Sequence, residues 1–206
     1  MGKTAPAVGD FDGDGLLDLY VGIGNSMLMH YEQRAGDKVF VRTQLTAANV
    51  SGDSEIAPFI TDLDGDGLKD ILVGINGGEI RHYEQTAAGS DSIVLVAKKF
   101  NDIPYSDCCT KPFVIDLDGN GLLDLIVGNG ARALLRWEQQ APGSLVFNSK
   151  RALVFPATRN GTLHPSLYDL DGDGALEMLL GDGSCALYLD RKSTRLNSRH
   201  VSQSRM

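Results

Sequence analysis

The sequence has no long hydrophobic run: no stretch of about 18 apolar residues, the length that a transmembrane helix needs, occurs in its 206 residues. The N-terminus, Met-Gly-Lys-Thr-Ala-Pro, lacks the apolar segment of a signal peptide. Basic residues are also few, since 19 Lys and Arg stand against 27 Asp and Glu, which gives a net charge of −8. We therefore expect no membrane insertion and no nucleic-acid partner.

Catalytic signatures are missing as well. The sequence contains no Gly-x-Ser-x-Gly elbow, no phosphate loop and no His-Glu-x-x-His motif, so we predict no catalytic residue and expect a protein that is not an enzyme. Three cysteines occur, at Cys108, Cys109 and Cys185, and they do not have the spacing of a zinc site. The adjacent Cys108 and Cys109 are compatible with two free thiols or with a strained vicinal disulfide.

What the chain does contain is one acidic loop of nine residues, written four times from positions 10, 62, 116 and 169. Oxygen-bearing side chains stand at loop positions 1, 3, 5 and 9, and the carbonyl at position 7 is free to point inward. Calcium takes roughly 6–8 such oxygens. Glycines at positions 4 and 6 let the backbone turn tightly. The loops therefore predict up to four Ca²⁺ ions, and the predicted ligands are Asp10, Asp12, Asp14, Leu16, Asp18, Asp62, Asp64, Asp66, Leu68, Asp70, Asp116, Asp118, Asn120, Leu122, Asp124, Asp169, Asp171, Asp173, Ala175 and Glu177.

Two details qualify the calcium prediction. An EF-hand requires a glutamate at position 12, whereas these loops have Val21, Val73, Val127 and Leu180 there, which excludes that motif. Asn120 removes one charge from the third loop, and Glu177 is longer than the Asp found at position 9 elsewhere, so we expect an altered fourth site.

The loops belong to a larger repeat whose copies begin 52, 54 and 53 residues apart. A proline stands four residues before each loop, and the short, partly apolar segment between the proline and the loop is predicted as the first strand. The apolar run that follows the loop and ends in glycine is the second strand. Third strands are predicted at 27–33, 79–85 and 133–139, where the recurring Glu32, Glu84 and Glu138 stand at strand ends, and fourth strands at 38–42, 93–97 and 145–147. About four strands in about 53 residues, without an amphipathic helix, are typical of a propeller blade. We predict blades at residues 4–53, 54–107, 108–160 and 161–190. The recurring His30 and His82 are predicted to pack or to form hydrogen bonds, and the recurring Tyr31, Tyr83 and Trp137 to lie in the core.

The pattern Pro-x-x-x-Asp-x-Asp-Gly-Asp-Gly-x-x-Asp-Leu-x-Val-Gly resembles the FG-GAP/VCBS repeat of integrin α-chain propellers and of many secreted bacterial proteins. The resemblance covers roughly residues 4–189. It implies an all-β propeller of four-stranded antiparallel blades with calcium in the acidic loops. It also implies a role in adhesion, binding or structure, an unknown protein or carbohydrate ligand, and an extracellular or cell-surface location. Since such propellers usually have about seven blades, we expect an incomplete, open propeller, with a closed four-bladed ring as the alternative.

Residues 191–206 differ from the rest of the chain, with five Lys or Arg, no acidic residue and no glycine. This segment resembles a translated sequencing-adaptor stretch found at the ends of metagenomic reading frames. We interpret it as a non-native or disordered tail on a fragment, the alternative being a native basic tail that binds an acidic partner. Without it, residues 1–190 carry a net charge of −13.

Three hypotheses for function follow from the sequence. The first is a non-catalytic, calcium-binding propeller module. The second is a fragment of a calcium-dependent propeller enzyme, such as a polysaccharide lyase, with its catalytic residues outside this fragment. The third is a structural repeat array whose loops bind no metal.

Overall fold

The regular structure consists almost entirely of antiparallel β-strands. The computed structural model describes residues 4–24, 27–50, 55–102, 109–130, 134–153, 161–182 and 187–190, and for 44–49 and 187–190 it describes the backbone alone. The only helix among these residues is the 3₁₀ turn Phe100–Asp102. No described helix has the length and apolarity needed to cross a membrane.

Four sheets follow one another along the chain, and each is a simple meander in which consecutive strands pair. The first three sheets have four strands, and the fourth has three described strands. In chain order the strands are β1 Ala5–Gly9, β2 Asp18–Ile23, β3 Met27–Gln33, β4 Phe40–Asn49, β5 Ile56–Thr61, β6 Asp70–Ile75, β7 Ile80–Gln85, β8 Ile93–Ala97, β9 Lys111–Ile115, β10 Asp124–Gly128, β11 Leu134–Gln139, β12 Phe147–Leu153, β13 His164–Tyr168, β14 Glu177–Gly181 and β15 Leu187–Asp190.

The sheets are arranged as blades of an open arc. Their first strands contact one another in series, β1 with β5, β5 with β9 and β9 with β13, so these strands line one side of the arc. The second strands show the stacking, because β6 and β10 are buried along their whole length between two neighbouring sheets. In contrast, β2 alternates between buried and partly exposed residues, as expected for a sheet with a described neighbour on one side only. The all-β, incomplete-propeller prediction is confirmed for the described residues.

The hydrophobic core is divided into three clusters, one at each junction between sheets. Phe11, Tyr20 and Ile71 belong to the first cluster, Leu72 and Trp137 to the second. The third cluster contains Phe113, Ile126, Leu167 and Met178. The predicted core positions Tyr83 and Trp137 are buried, whereas Tyr31 is only partly buried. Stability therefore comes mainly from burial between neighbouring repeats, as in other repeat architectures.

One glycine at the end of each second strand sets the distance between blades. A Cβ atom at Gly22 would lie 2.1 Å from the carbonyl oxygen of Ile56, and one at Gly74 would lie 2.2 Å from that of Thr110. At Gly128 the corresponding distance, to the carbonyl oxygen of Leu163, is 1.9 Å. Any side chain at these positions would overlap the backbone of the next blade. In the first three blades the glycine that ends the apolar run is therefore needed for packing between repeats, whereas Gly181 of the fourth blade has no such close neighbour.

The prolines before the loops lie inside the first strands, a difference from the prediction, which began those strands after the proline. Pro6 pairs with Val21 and Pro58 with Val73 in regular register. This is possible because the first strand is an edge strand of its sheet. The N–H that proline lacks would point away from the paired strand, so no hydrogen bond between strands is lost.

Several predictions concern residues outside the described part of the chain. The three boundaries between predicted blades fall in such segments, as do Cys108, Cys185 and the tail at 191–206. These predictions are not tested by the structure. Cys109 is described: it is buried, and its Sγ lies 3.2 Å from Oδ1 of Asn76.

Candidate metal centre

Each acidic loop joins the first and second strands of its blade, and its first aspartate organises the turn. The carboxylate of Asp10 accepts hydrogen bonds from the backbone N–H groups of Gly13, at 2.8 Å, and Gly15, at 3.2 Å. Asp116 and Asp169 make the same pair of bonds in the third and fourth loops. The glycines have positive φ angles, for example 75° at Gly65 and 90° at Gly67. The loop backbone therefore wraps around the carboxylate at position 1.

The carboxylate at position 9 is turned inward and holds the start of the loop. Asp18 and Asp70 are 1 % and 2 % exposed, and one oxygen of each accepts from the backbone N–H at loop position 2 at 2.6 Å. Asp124 and Glu177 accept the equivalent bond at 3.1 and 2.7 Å. This residue thus closes the loop and presents its second oxygen to the interior of the blade.

A histidine meets that second oxygen in the first two blades. Nε2 of His30 lies 2.7 Å from Oδ1 of Asp18, and Nε2 of His82 lies 2.5 Å from Oδ1 of Asp70. Both histidines are buried, at 0 % and 1 % exposure. The sequence predicted packing or hydrogen bonding for these histidines but named no hydrogen-bond partner. Each histidine stands 12 residues after the aspartate at loop position 9, and this constant spacing could have identified that aspartate as the partner.

Three of the four loops bring three carboxylates close enough to share one ion. In each, one oxygen of every carboxylate lies within 4.8 Å of the other two. The groups are Asp10, Asp12 and Asp18 in the first loop, Asp62, Asp64 and Asp66 in the second, and Asp169, Asp171 and Glu177 in the fourth. The predicted ligands Asp14, Asp70 and Asp173 belong to the same loops but lie outside these groups, and the carbonyl ligands at Leu16, Leu68, Leu122 and Ala175 stay predictions.

The crowding of carboxylates has an electrostatic cost. Burial raises the pKa of Asp12, and the other three carboxylates of its loop raise it further. The pKa of Asp64 is raised for the same reasons in the second loop. Both effects disfavour the ionised form, and a bound cation would offset them, since it favours the ionised form.

The third loop has a cation of its own. Arg136 occupies the position of the two histidines, and its Nε lies 2.7 Å from Oδ1 of Asp124. One NH2 group of the same guanidinium lies 3.0 Å from Oδ2 of Asp124 and 2.9 Å from Oδ2 of Asp118. It also lies 3.5 Å from Glu138. Arg136 therefore neutralises two of the predicted calcium ligands of this loop.

The fourth loop contains the clearest unsatisfied group. Glu177 is 2 % exposed, and its Oε1 is buried with no hydrogen-bond partner among the described residues. The strand register places Leu189 where the first two blades have histidine, and leucine has no donor to offer. A buried carboxylate oxygen without a donor is costly, so this oxygen fits a metal ion in the same group as Asp169 and Asp171.

A recurring glutamate, which the sequence interpretation placed only at strand ends, also faces this region. Glu32 lies directly across the strand pair from Asp18, and Glu84 directly across from Asp70. Burial raises the pKa of Glu32 and of Glu84, and nearby aspartates add to it. Like charges placed opposite each other destabilise a sheet, so these glutamates add to the demand for a cation.

Each of the first two loops is also bound by the blade that follows it. The side-chain amide of Gln85, in the second blade, donates to the carbonyl oxygen of Phe11 in the first loop at 3.1 Å. Gln139, in the third blade, donates in the same way to Leu63 at 2.7 Å. The loop is therefore part of the contact between blades, and not only a connection within one.

Comparison with known proteins agrees with this architecture. The family model described as FG-GAP-like repeat matches residues 10–73 and 116–180, which is more than half of the chain. Comparison with curated proteins finds no match. Among solved structures, the β-fructofuranosidase from Schwanniomyces occidentalis complexed with fructosyl-erythritol is similar, with a TM-score of 0.55 and 10 % identity over 94 % of this chain. The chain spans 42 % of that enzyme's length, and at this identity the likeness concerns the fold alone.

Proposed function

Since this chain belongs to the FG-GAP-like repeat family, we propose that it is a calcium-binding β-propeller module with a role in adhesion, binding or structure. The observation that carries the proposal is the convergence of three carboxylates within 4.8 Å in each of three loops, at equivalent places of the repeat. All the donors are oxygens, which is the ligand set of a hard cation such as Ca²⁺. The buried, unpaired oxygen of Glu177 supports an ion in the fourth loop.

The structure favours three calcium sites over four. Among the described residues, no arginine pairs with the carboxylates of the first, second and fourth loops, whereas Arg136 pairs with Asp118 and Asp124 in the third. A calcium ion entering the third loop would have to displace or repel this guanidinium. We therefore infer that the third loop binds calcium more weakly than the others.

The module acts outside the cell or on its surface, where calcium is abundant enough for weak sites. Extracellular modules bind calcium with Kd values of about 10⁻⁴–10⁻³ M. The ligand of the propeller is a protein or a carbohydrate, held by surfaces other than the loops. The loops are structural, because their carboxylates accept hydrogen bonds within the turn and a loop carbonyl accepts one from the next blade.

A thermal melt of the metal-free chain with and without 10 mM Ca²⁺ tests the proposal. Binding to the folded state alone stabilises it by RT ln(1 + [Ca²⁺]/Kd), which is about 1.4–2.7 kcal/mol per site for the Kd range above. Three sites then give about 4–8 kcal/mol, and the melting temperature should rise by roughly 8 °C or more for a domain of this size. An unchanged melting temperature refutes the calcium proposal.

The variant Asp64→Ala makes the same test site by site. It should remove the calcium stabilisation of the second loop, about a third of the total, and leave the first and fourth loops responsive. Asp37→Ala is the matched control, because Asp37 is an exposed aspartate paired with Arg34 outside the loops. If the calcium-induced rise of the melting temperature is the same in Asp64→Ala as in Asp37→Ala, the second loop is not a calcium site.

The alternative is a fragment of a propeller enzyme, for which the fold similarity to a β-fructofuranosidase is the supporting observation. That similarity carries no catalytic residue, and an enzyme would have to complete its site with parts of the protein beyond these four repeats. Incubation of the longer protein that contains these repeats with fructosides and with acidic polysaccharides distinguishes the two. Turnover that is lost when a residue outside these four repeats is replaced would favour the enzyme, and no turnover would favour the binding module.

A further inference from the structure

The junction between the first and second blades contains a group of side chains that the calcium loops do not explain. The turn between β7 and β8 lies against the first acidic loop, where a Cβ atom at Gly89 would lie 3.9 Å from the carbonyl oxygen of Asp12. The bond from Gln85 to Phe11 fixes this arrangement. Asp91 is part of that turn and approaches the first blade from outside.

Asp91 joins the buried pair of the first blade. One carboxylate oxygen of Asp18, one ring nitrogen of His30 and one carboxylate oxygen of Asp91 all lie within 4.8 Å of one another. Two of the three side chains are 0–1 % exposed, and Asp91 is partly buried. The group therefore combines an imidazole with two carboxylates, contributed by two different blades.

Two polar atoms at this place have no partner among the described residues. One is the hydroxyl of Tyr20, which is fully buried, and the other is Oδ1 of Asp91. The ring of Tyr20 stacks on that of His30 with centroids 4.6 Å apart. A buried donor and a buried acceptor left unpaired indicate that something polar lies between them.

The second nitrogen of His30 is already held by a neighbour. Oγ1 of Thr43 lies 3.0 Å from Nδ1 of His30 and 3.2 Å from its carbonyl oxygen. When the threonine hydroxyl donates to the carbonyl, Nδ1 donates its proton to the hydroxyl. In that tautomer the lone pair of Nε2 faces Oδ1 of Asp18 at 2.7 Å, and a metal ion between them would bind both atoms. Metal-binding histidines usually have such an outer hydrogen bond, which fixes the ring.

The other repeats show which features are special to this junction. In the third blade the guanidinium of Arg136 binds Asp124, the counterpart of Asp18, so a positive charge occupies the same place. In the second blade Leu72 replaces Tyr20, and Leu145 of the following blade replaces Asp91. The pair of Asp70 and His82 therefore has no hydroxyl at this place and no carboxylate from the next blade. Its third carboxylate within 4.8 Å is Glu84, which belongs to the same strand as His82.

We propose that Asp18, His30 and Asp91 form a second metal site, for a divalent ion of the zinc class, that joins the first two blades. Mixed imidazole and carboxylate ligands suit Zn²⁺, which binds them at about 2.0–2.2 Å. Ligand atoms around such an ion stand about 3.4 Å apart in a tetrahedron, so Nε2 of His30 and Oδ1 of Asp18, now 2.7 Å apart, would separate slightly, while the group as a whole lies within 4.8 Å. Water completes the coordination and accepts a hydrogen bond from Tyr20. The site shares Asp18 with the first calcium loop, but its nitrogen ligand makes it selective for a different ion.

Co²⁺, which reports its ligands by visible absorption, tests the site. The full chain in 10 mM Ca²⁺ should bind one Co²⁺ ion with a visible ligand-field band, and Zn²⁺ should displace it. The excess of Ca²⁺ keeps this result separate from the calcium proposal, which the melts decide. The absence of a ligand-field band would overturn the proposal. A sulfur-to-cobalt charge-transfer band in the near ultraviolet would also overturn it, because the ion would then be bound to cysteine.

Variants assign the ligands. Asp91→Asn lies on a partly exposed turn and should fold, yet it should weaken Co²⁺ binding at least tenfold. His30→Gln should abolish binding, with a melt to confirm that the buried substitution leaves the chain folded. His82→Gln removes the imidazole from the other such group, Asp70, His82 and Glu84, and should leave binding unchanged, because the ion is assigned to the first junction. Loss of binding in His82→Gln, or full binding in Asp91→Asn, would contradict the assignment.

Discussion

Replacement of Arg136 by alanine should turn the third loop from a site with a built-in cation into a calcium site. The guanidinium is 18 % exposed and faces Asp124, whose side chain is 0 % exposed, so the substitution leaves a buried carboxylate without its partner. Loss of one partner of a buried ion pair costs about 3–5 kcal/mol. For a domain of this length, the metal-free melting temperature should fall by roughly 6–20 °C.

Calcium should recover part of that loss. The vacated third loop then presents Asp116, Asp118 and Asp124 without a competing positive charge. One additional site adds about 1.4–2.7 kcal/mol at 10 mM Ca²⁺ if its Kd lies at about 10⁻⁴–10⁻³ M. The rise of melting temperature on adding calcium should therefore be larger in Arg136→Ala than in the parent chain. Differential scanning calorimetry at matched protein concentration, with and without chelator, measures both quantities.

Arg34→Ala is the control for this experiment. Arg34 forms an ion pair with Asp37, but both side chains are well exposed, and such pairs contribute about 0–1 kcal/mol. It should change neither the metal-free melting temperature nor the calcium response appreciably. If Arg136→Ala lowers stability but its calcium response equals that of the parent, the guanidinium does not stand in for an ion and the reasoning is wrong.

Two further predictions concern the blade junctions and the pH. Gly74→Ala should lower the free energy of unfolding by about 1–3 kcal/mol, because the new Cβ would lie 2.2 Å from the carbonyl oxygen of Thr110. Gly181→Ala is the control and should be near neutral, because its Cβ would lie 3.8 Å from the nearest atom. Urea unfolding measures both. The raised pKa values of Asp12 and Asp64 mean that the folded metal-free chain binds protons more tightly than the unfolded chain. Their contribution to stability is therefore full below the ordinary value of 3.8 and is lost as the pH rises through the raised pKa values. Calcium binds the ionised carboxylates, so the calcium-induced rise of melting temperature should grow between pH 4 and pH 7, and a rise that is constant over this range would contradict the account.

The sequence predicted the fold well because the repeat supplies the same local signals four times. The third strand predicted at residues 27–33 is β3, and the strand predicted at 93–97 is β8. Alternating and apolar patterns bounded by glycine are local properties of the sequence. A single short pattern could indicate a strand or a helix, but the same pattern in several repeats indicates a strand more clearly. The prolines were misplaced relative to the strands because the rule against proline in a sheet depends on whether the strand is an edge, which is a property of the assembled sheet.

The candidate site was predicted less completely, because its important contacts join distant residues. The ligand spacing within a loop is visible in the sequence, but the bond between Asp18 and His30 crosses a strand pair, and Gln85 reaches a loop 74 residues away. The replacement of histidine by Arg136 was visible as a substitution, yet its meaning required the position of Asp118 and Asp124 around the guanidinium. Asp91 gave no signal at all, since it does not recur.

The side-chain amides of Gln85 and Gln139 make the contacts between blades asymmetric along the chain. Each reaches backward, from a later repeat to the loop of the repeat before it, so the first and second loops each depend on the next repeat for one hydrogen bond. During synthesis from the N-terminus, a loop would reach its final geometry only after the following blade has docked. An ion would then bind a loop fully only after the next repeat has docked. During folding of the array, ion binding would therefore follow blade formation with a delay of one repeat.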